Sequence, residues 1–177
     1  MDNDTFKKLY HNTIHLIHIW FKDKKDKGGN DYIEHLYAVE NSIWDLLHNI
    51  ECCKIDDIEV YDTLRKALIV ALLHDILEDT ECTELQLREA GCDDEIIDAI
   101  KSVTRRKDEH NYFDFIKRAK QNKIGRIVKR FDLENNMDIR RLNKLEDYDL
   151  KRLKKYWYSW RFINDEISEA ELNSIKL

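Results

Sequence analysis

Apolar residues recur at steps of three and four along almost the whole chain, which is the spacing of amphipathic helices. The first segment shows the pattern clearly, because it is followed by Phe6, Tyr10, Ile14, Ile17 and Phe21. No convincing apolar-polar alternation, the pattern of a half-buried strand, accompanies it. The predicted fold class is therefore all-α.

The same periodicity predicts where the remaining helices lie. They are expected over 33–50, 60–77, 83–90, 94–104, 111–121, 124–136 and 147–164, and the polar tail allows a last turn or two. The chain has no proline and only 4 glycines, so its helices meet few forced breaks. Gly91 stands where a helix C-cap is expected. A chain of 177 residues is expected to form a single domain, a helical bundle over residues 1–177.

Composition narrows the classes of function. The net charge of −6 argues against a general affinity for nucleic acid. The chain lacks an apolar run of about 18 residues and a secretory N-terminus, which predicts a cytoplasmic protein with no membrane partner. Its 4 cysteines follow neither a disulfide framework nor a zinc-ligand spacing, so we expect free thiols.

A polar cluster ends the most apolar predicted helix. The segment ALLHDILEDT, residues 71–80, places one histidine and three acids directly after an apolar run; these are His74, Asp75, Glu78 and Asp79. Residues three or four apart share a helix face, so these side chains are expected on adjoining stripes of one helix end. Burying ionised carboxylates costs several kcal/mol each without a positive partner. A divalent cation, which binds carboxylate oxygens and neutral imidazole, is the natural partner.

Two distant segments offer further ligands, since one helix rarely supplies a whole coordination shell. His35 lies near the start of the second helix, just after the Gly-Gly loop, in DYIEHLYAVE. Asp132 lies late in a helix whose preceding residues are apolar, in IVKRFDLENNMD. Both are polar residues of ligand type on helices with an apolar face.

The order His35, His74-Asp75 and Asp132 resembles the HD-domain metal-dependent phosphohydrolases. The resemblance narrows with KGGNDYIEHLYAV, ALLHDILEDT, SVTRR and VKRFDLENNMDIRRL, which are similar to the (p)ppGpp 3′-pyrophosphohydrolase domain of Rel/SpoT-type and small alarmone hydrolases. It covers about 25–142, and the helix over 147–164 follows it. The implied activity is hydrolysis of the 3′-pyrophosphate of ppGpp or pppGpp, which yields GDP or GTP and pyrophosphate.

The resemblance also implies roles at the metal. It implies a manganese-type site made of His35, His74, Asp75 and Asp132. It assigns Glu78 and Asp79 to catalysis, as the pair that orients and activates the attacking water. This division of labour is chemically sound, because a divalent ion acidifies water and neutralises phosphoryl oxygens while a nearby acid serves as general base. Mixed imidazole and carboxylate ligands leave Mn²⁺, Fe²⁺, Mg²⁺, Co²⁺ and Zn²⁺ open.

A second group of residues is expected to contact the substrate. The resemblance places Lys27 against phosphate and Asn136 against the substrate or the water at the metal. Two arginines are expected to bind the other phosphate oxygens, since a guanidinium can bind them in a bidentate fork; they are Arg105 and either Arg140 or Arg141. Tyr112 follows TRRKDEHN and is a candidate to stack on a base, with an ordinary core role as the alternative.

The chain departs from the resembled pattern near the expected phosphate end. Asp26 replaces a common Arg, Gly28 a small hydroxylated residue or Ala, and Asp31 a Pro. The segment often written LADRLHNM is here RFDLENNM, with changes at Arg130, Phe131, Glu134 and Asn135. We expect the acidic Asp26 to weaken pyrophosphate binding by repulsion. Two alternatives therefore stay open: an HD-type nucleotidase acting on monophosphates or another signalling nucleotide, and a non-catalytic HD module that binds a nucleotide or a partner.

One basic segment raises the question of nucleic acid. DLKRLKKYWYSWRF combines lysines and arginines with aromatic residues. Its apolar residues fall at helical spacing, so we expect them to pack on the bundle; they are Leu150, Leu153, Trp157 and Trp160. A nucleotide, with a guanine alarmone first, is therefore the expected partner, and assembly into a homo-oligomer is left open.

Overall fold

The computed structural model describes residues 1–54, 57–109 and 111–175, and these form a helical fold. The longer helices are α1 (Asn3–Trp20), α2 (Tyr32–Cys52), α3 (Ile58–Leu73), α6 (Asp94–Val103), α7 (Tyr112–Gln121), α8 (Lys123–Asn136) and α9 (Asp147–Ile163). The shorter ones are α4 (Ile76–Asp79), α5 (Glu84–Glu89), α10 (Glu169–Ser174) and a 3₁₀-helix (Ile139–Arg141). Within these ranges no strand forms beyond an isolated bridge between Lys25 and Asp31, which confirms the predicted all-α class.

Polar caps explain where several helices begin and end. Asp57 accepts the backbone N–H of Glu59 at the start of α3, and Asn122 accepts that of Gly125 at the start of α8. Each such cap stabilises its helix by about 1 kcal/mol. After α5, Gly91 adopts φ +109°, the left-handed conformation expected of a C-cap glycine.

Helix α3 forms the centre of the larger hydrophobic cluster, where it packs against α1, α2, α6 and α8. Every residue from Leu68 to Leu73 is 0% exposed. Full burial of such side chains contributes about 1.5–3 kcal/mol each relative to exposure. Because α3 ends inside the molecule, the residues that follow it, His74 and Asp75, emerge in the interior rather than at the surface.

The predicted helix over 60–77 is interrupted in the structure. Helix α3 ends at Leu73, and α4 starts only at Ile76. The interruption has a local cause, because Nδ1 of His74 lies 2.7 Å from the carbonyl oxygen of Ala71. The side chain thus competes with the backbone for a hydrogen-bond acceptor at the end of the helix. The expectation that the polar cluster occupies adjoining stripes of one continuous helix is therefore wrong, since its members belong to a helix end, a junction and a new short helix.

Helix α8 lies between two hydrophobic clusters. Phe131 belongs to the cluster around α3, whereas Leu133 belongs to the second one. This second cluster comprises Phe113, Phe115, Ile116, Leu133, Phe162, Ile163, Ile167 and Leu172. Asp132 lies between the two apolar residues of α8 and is only 3% exposed. Both clusters thus hold α8 in place at the position of this aspartate.

Helix α9 packs through its C-terminal part. Phe162 and Ile163 are buried, and α10 adds Leu172 to the same cluster. Four apolar residues of α9 were expected to pack on the bundle; Leu150 and Trp157 are 51% and 46% exposed, so the prediction is wrong for these two. Trp160 packs against the second cluster, which confirms the prediction there, and Leu153 is half-buried. None of the described helices is both long enough and apolar enough to cross a membrane.

Candidate metal centre

Two histidines from different helices meet in the interior. His35 lies on the first turn of α2, and His74 directly follows the buried end of α3. Their Nε2 atoms are 3.2 Å apart, and the residues are 4% and 1% exposed. The structure therefore brings together two imidazoles that are far apart in the sequence.

Two carboxylates flank this histidine pair. Oδ2 of Asp75 lies 3.0 Å from Nε2 of His74 and 3.7 Å from Nε2 of His35. Oδ1 of Asp132 lies 3.3 Å from Nε2 of His35 and 3.6 Å from that of His74. One ligand atom from each of His35, His74 and Asp75 falls within 4.8 Å of the others, a grouping suited to one metal ion. The oxygen of Asp132 faces the same two nitrogens and is available as a fourth ligand.

The hydrogen bonds of the two Nδ1 atoms indicate which ring nitrogens face the site. Nδ1 of His35 lies 2.7 Å from Oδ1 of Asn135, and Nδ1 of His74 lies 2.7 Å from the carbonyl of Ala71. These oxygens only accept hydrogen bonds, so each Nδ1 carries the proton in the neutral ring. Both Nε2 lone pairs then point at each other and at two carboxylates. Such a concentration of electron pairs fits a bound cation.

Charge compensation in the metal-free protein takes another form. Burial would lower the pKa of His74, but Asp75 and Asp132 outweigh it and hold that pKa well above its usual value. Burial would raise the pKa of Asp75, yet the charge of His74 keeps it low. The pKa of Asp132 is likewise lowered despite burial, chiefly by Lys129. A proton on His74 therefore stands in for positive charge at the centre of the site.

Three side chains hold the carboxylates, and the sequence interpretation missed two of them, Lys129 and Tyr32; it had placed the third, Asn136, against the substrate or the water. Nζ of Lys129, which is buried, donates to Oδ2 of Asp132 over 2.7 Å, while Asn136 donates to Oδ1 of the same residue. The hydroxyl of Tyr32 donates to Oδ2 of Asp75 over 2.6 Å. Lys129 precedes Asp132 by one helical turn, and this spacing was the one sequence signal available for it.

The two predicted catalytic acids lie beside the candidate metal ligands but differ in environment. Oε2 of Glu78 accepts the backbone N–H of Arg105 over 2.9 Å. Although the side chain remains accessible, desolvation by the surrounding walls and the nearby Asp75 raise the pKa of Glu78. Asp79 instead pairs with Lys24, whose Nζ lies 2.9 Å from Oδ2. Glu78 is thus the acid better suited to accept a proton.

The four ligand candidates and both acids adjoin a cavity of about 500 Å³, with His74 just behind its wall. Most predicted substrate residues line it; they are Lys27, Arg105, Tyr112, Asn136 and Arg141. Arg140 is not among the lining residues, because its side chain is 86% exposed and pairs with Asp138. The prediction that either Arg140 or Arg141 lies at the site is thus narrowed to Arg141.

Helix α9 supplies a wall of the cavity that the sequence interpretation did not anticipate. Its cationic members are Arg152 and Lys155, and its aromatic members are Tyr148 and Tyr156. Nζ of Lys155 lies 4.2 Å from the ring centroid of Tyr112. Burial and the neighbouring cations, first among them Arg105, lower the pKa of Lys155. This wall concentrates positive charge and aromatic rings on one side of the cavity.

Comparisons with known proteins add no assignment, as no protein-family model and no curated protein matches the chain. What can be said of its activity therefore depends on the residues and their geometry.

Proposed function

We propose that this protein is a metal-dependent phosphohydrolase of the HD type that acts on a phosphorylated nucleotide, with the 3′-pyrophosphate of (p)ppGpp as the first candidate substrate. The observation that carries the proposal is the convergence of two imidazole nitrogens and two carboxylate oxygens beside a cavity with a basic wall.

The ligand set fits one divalent ion, with Mn²⁺ as the first candidate. His35, His74, Asp75 and Asp132 would hold it. Such an ion, when bound, lowers the pKa of water and neutralises charge on a phosphoryl oxygen. The protein's own contribution is to keep both imidazoles in the correct tautomer through their Nδ1 contacts and to hold Asp75 by the hydroxyl of Tyr32.

Glu78 is the proposed general base. Its raised pKa suits proton transfer near neutral pH better than the pKa of an ordinary carboxyl group does. The Arg105 N–H holds one of its oxygens, and the residue lines the cavity. Asp79 is the proposed supporting acid, because its pairing with Lys24 fixes its position and its charge next to the base.

The cationic and aromatic residues of the cavity are suited to the rest of a nucleotide. Lys27, Arg105 and the two cations of α9 can pair with phosphate groups, and their number favours a substrate with several negative charges. The aromatic members, Tyr112 among them, can pack against a base. These features support a nucleotide with separated phosphate groups, as in (p)ppGpp, over a simple phosphate ester.

The test is incubation of the Mn²⁺-loaded protein with ppGpp, followed by separation of the products. We expect equal amounts of GDP and pyrophosphate. A parallel panel of nucleoside monophosphates tests the nucleotidase alternative. Release of phosphate from a monophosphate, without cleavage of ppGpp, would establish that alternative instead. Absence of any hydrolysis across the panel, with Mn²⁺ bound, would overturn the hydrolase proposal and leave the binding module.

Replacement of the general base gives a sharper test. Glu78→Gln should lower kcat by about 10²–10⁴-fold while Mn²⁺ still binds, because the amide cannot accept the proton. Glu81→Gln is the matched control, since Glu81 is exposed and does not line the cavity. Equal activity of the two variants would remove Glu78 from the mechanism.

A further inference from the structure

A series of contacts joins the loop at the cavity mouth to a metal-ligand candidate. Oδ2 of Asp26 lies 3.1 Å from Nη2 of Arg141. Nη1 of the same guanidinium donates to the side-chain oxygen of Asn135 and, over 3.2 Å, to its carbonyl oxygen. That side-chain oxygen is the acceptor for Nδ1 of His35. Nη1 of Arg141 also lies 3.3 Å from Nδ1 of His35 itself, but the 2.7 Å contact of that nitrogen with the Asn135 oxygen is the shorter one. The path from loop to imidazole therefore runs without a gap through Arg141 and, mainly, through Asn135.

The direction of these hydrogen bonds gives Arg141 a defined task. Because the guanidinium can only donate, it turns the oxygen of the Asn135 amide, rather than its nitrogen, toward His35. An oxygen in this place keeps the proton of His35 on Nδ1 and leaves the Nε2 lone pair toward His74 and the carboxylates. Removal of Arg141 would free the amide to rotate and so release the tautomer of His35.

The loop itself is built on the same arginine. Oδ1 of Asp26 accepts the backbone N–H groups of Gly28 and Asn30 over 2.8 and 2.9 Å, which closes the loop. Asn143 donates to the carbonyl of Gly28 over 2.8 Å. A Cβ at Gly28 would lie 2.1 Å from the backbone oxygen of Arg141. The close approach requires glycine, so loop and arginine form one packed unit.

We propose that Arg141 and Asp26 are positioning residues for His35, and that they couple the loop over 25–31 to the affinity of the metal site. Arg141 acts through Asn135, and Asp26 holds Arg141 in place while it neutralises the guanidinium. Asp26 is therefore not a free negative charge that faces the substrate. The inference rests on the proposed metal centre, but it does not depend on which nucleotide the protein cleaves.

The first experiment measures Mn²⁺ binding by calorimetry for Arg141→Gln. We expect about 10–100-fold weaker binding, the usual effect of losing a residue that orients a ligand. Arg88→Gln is the matched control, because Arg88 also bridges acids, Glu84 and Asp94, but does so on the surface away from the cavity. Urea denaturation of both metal-free variants checks that they fold. Unchanged Mn²⁺ affinity in a folded Arg141→Gln protein would overturn the proposal.

The second experiment tests the link between loop and arginine. Asp26→Asn keeps an oxygen for the N–H groups of Gly28 and Asn30 but loses the charge that faces Arg141. We expect weaker Mn²⁺ binding here too, and a double variant with Arg141→Gln no weaker than the weaker single variant. Losses that multiply in the double variant would show that the two residues act independently and would contradict the coupling.

Kinetics distinguish positioning from direct substrate binding. If Arg141 positions His35, saturating Mn²⁺ should restore most of the activity of Arg141→Gln with KM nearly unchanged. A raised KM together with wild-type Mn²⁺ affinity would mark Arg141 as a phosphate ligand and overturn the inference. The binding data also separate the two proposals: the predicted Mn²⁺ affinities without any nucleotide hydrolysis would sink the proposed function and leave this inference standing.

Discussion

Protein donors engage both carboxylates of the site, and on each of them a donor contacts the oxygen that faces the imidazoles: Asn136 donates to Oδ1 of Asp132, and Tyr32 donates to Oδ2 of Asp75. Lys129 holds the outer oxygen of Asp132, while its other oxygen faces the imidazoles. Tyr32 holds Asp75, and burial together with that carboxylate raises the pKa of Tyr32, so its hydroxyl stays a donor. These residues fix the carboxylates in place, and a metal ion would then meet preorganised ligands rather than order them.

Lys129→Met tests this arrangement at a single residue. Loss of the ammonium leaves Asp132 buried without its closest partner, so we expect metal-free stability to fall by about 3–5 kcal/mol. Saturating Mn²⁺ should recover part of that loss, because the ion replaces the missing positive charge. Urea denaturation followed by circular dichroism, with and without Mn²⁺, measures both effects.

The control for this variant is Lys123→Met, the same substitution at the exposed start of α8, where Lys123 pairs with Glu59. It should change stability by no more than about 0.5 kcal/mol. A loss in Lys129→Met that Mn²⁺ leaves unchanged would show that the ammonium does not substitute for the ion's charge.

A residue of the site could be predicted only where the sequence itself carries a distinctive pattern for it. His74 and Asp75 were predicted because acids after a long apolar run demand compensation, and this demand is visible in the sequence. Lys129 and Tyr32 also follow helical spacing from a ligand, yet lysines and tyrosines at such spacing are common. Their roles depend on how α2, α3 and α8 meet, which periodicity does not specify.

At the scale of elements, the site depends on helices that end or bend at the right place. The side chain of His74 forms a hydrogen bond with the Ala71 carbonyl oxygen, and the chain starts a new short helix at Ile76. Helix α8 carries Asp132 between two hydrophobic clusters. Helix α9 is held by its C-terminal part, so its N-terminal half can present Arg152 and Lys155 to the cavity.

A change in the packing of α9 should therefore affect the cavity wall that this helix forms, which is the proposed substrate contact, without affecting the candidate metal ligands. Phe162 is buried in the second cluster, and Phe162→Ala should cost about 3–5 kcal/mol of stability. We also expect a raised KM, because α9 positions the basic wall, with unchanged Mn²⁺ affinity. Denaturation, steady-state kinetics and calorimetry supply the three measurements.

Trp157→Ala serves as the control on the same helix, because Trp157 is half exposed and lies outside the second cluster. Its stability should stay within about 1 kcal/mol of the wild type. If Phe162→Ala weakened Mn²⁺ binding as strongly as substrate binding, the separation between the two walls would be incorrect.

The predicted helices over 94–104, 111–121 and 124–136 agree with the structure to within one residue at each end, because strong periodicity and polar caps coincide there. The break after Leu73 was not predictable, since it depends on a side-chain contact of His74 rather than on apolar spacing. The buried face of α9 was predicted only in part: Trp160 packs as expected but Leu150 and Trp157 do not, because apolar residues occur all round this helix and the positions of α7, α8 and α10 select among them.

At the scale of the whole molecule, the candidate centre joins three segments that are remote in sequence: the start of α2, the junction after α3, and the end of α8. The imidazole and carboxylate electron pairs that these segments bring together repel one another. Either a metal ion or a proton must relieve this repulsion. Without an ion, Asp75 and Asp132 hold the pKa of His74 well above 6.5 despite its burial, which favours a proton on this residue. Metal binding and protonation are therefore competing ways to stabilise the same arrangement.

This competition predicts opposite effects of pH on metal-free stability and on metal affinity. Because its folded pKa is raised, His74 contributes stability that is fully present below about pH 6.5 and is lost as pH rises through the raised value. The lowered pKa values of Asp75 and Asp132 act at the acid end, where their contribution is lost as pH falls through those values. Metal-free protein should thus lose stability toward alkaline pH.

Mn²⁺ binding should strengthen over the same range, by about tenfold per pH unit while one proton is released per ion. Calorimetry in buffers with different ionisation enthalpies counts that proton. His48→Gln, which changes an exposed histidine outside the cavity, should leave the proton count unchanged, whereas His74→Gln should abolish it. Proton release that persisted in His74→Gln would mean that another group carries the charge which the metal ion replaces.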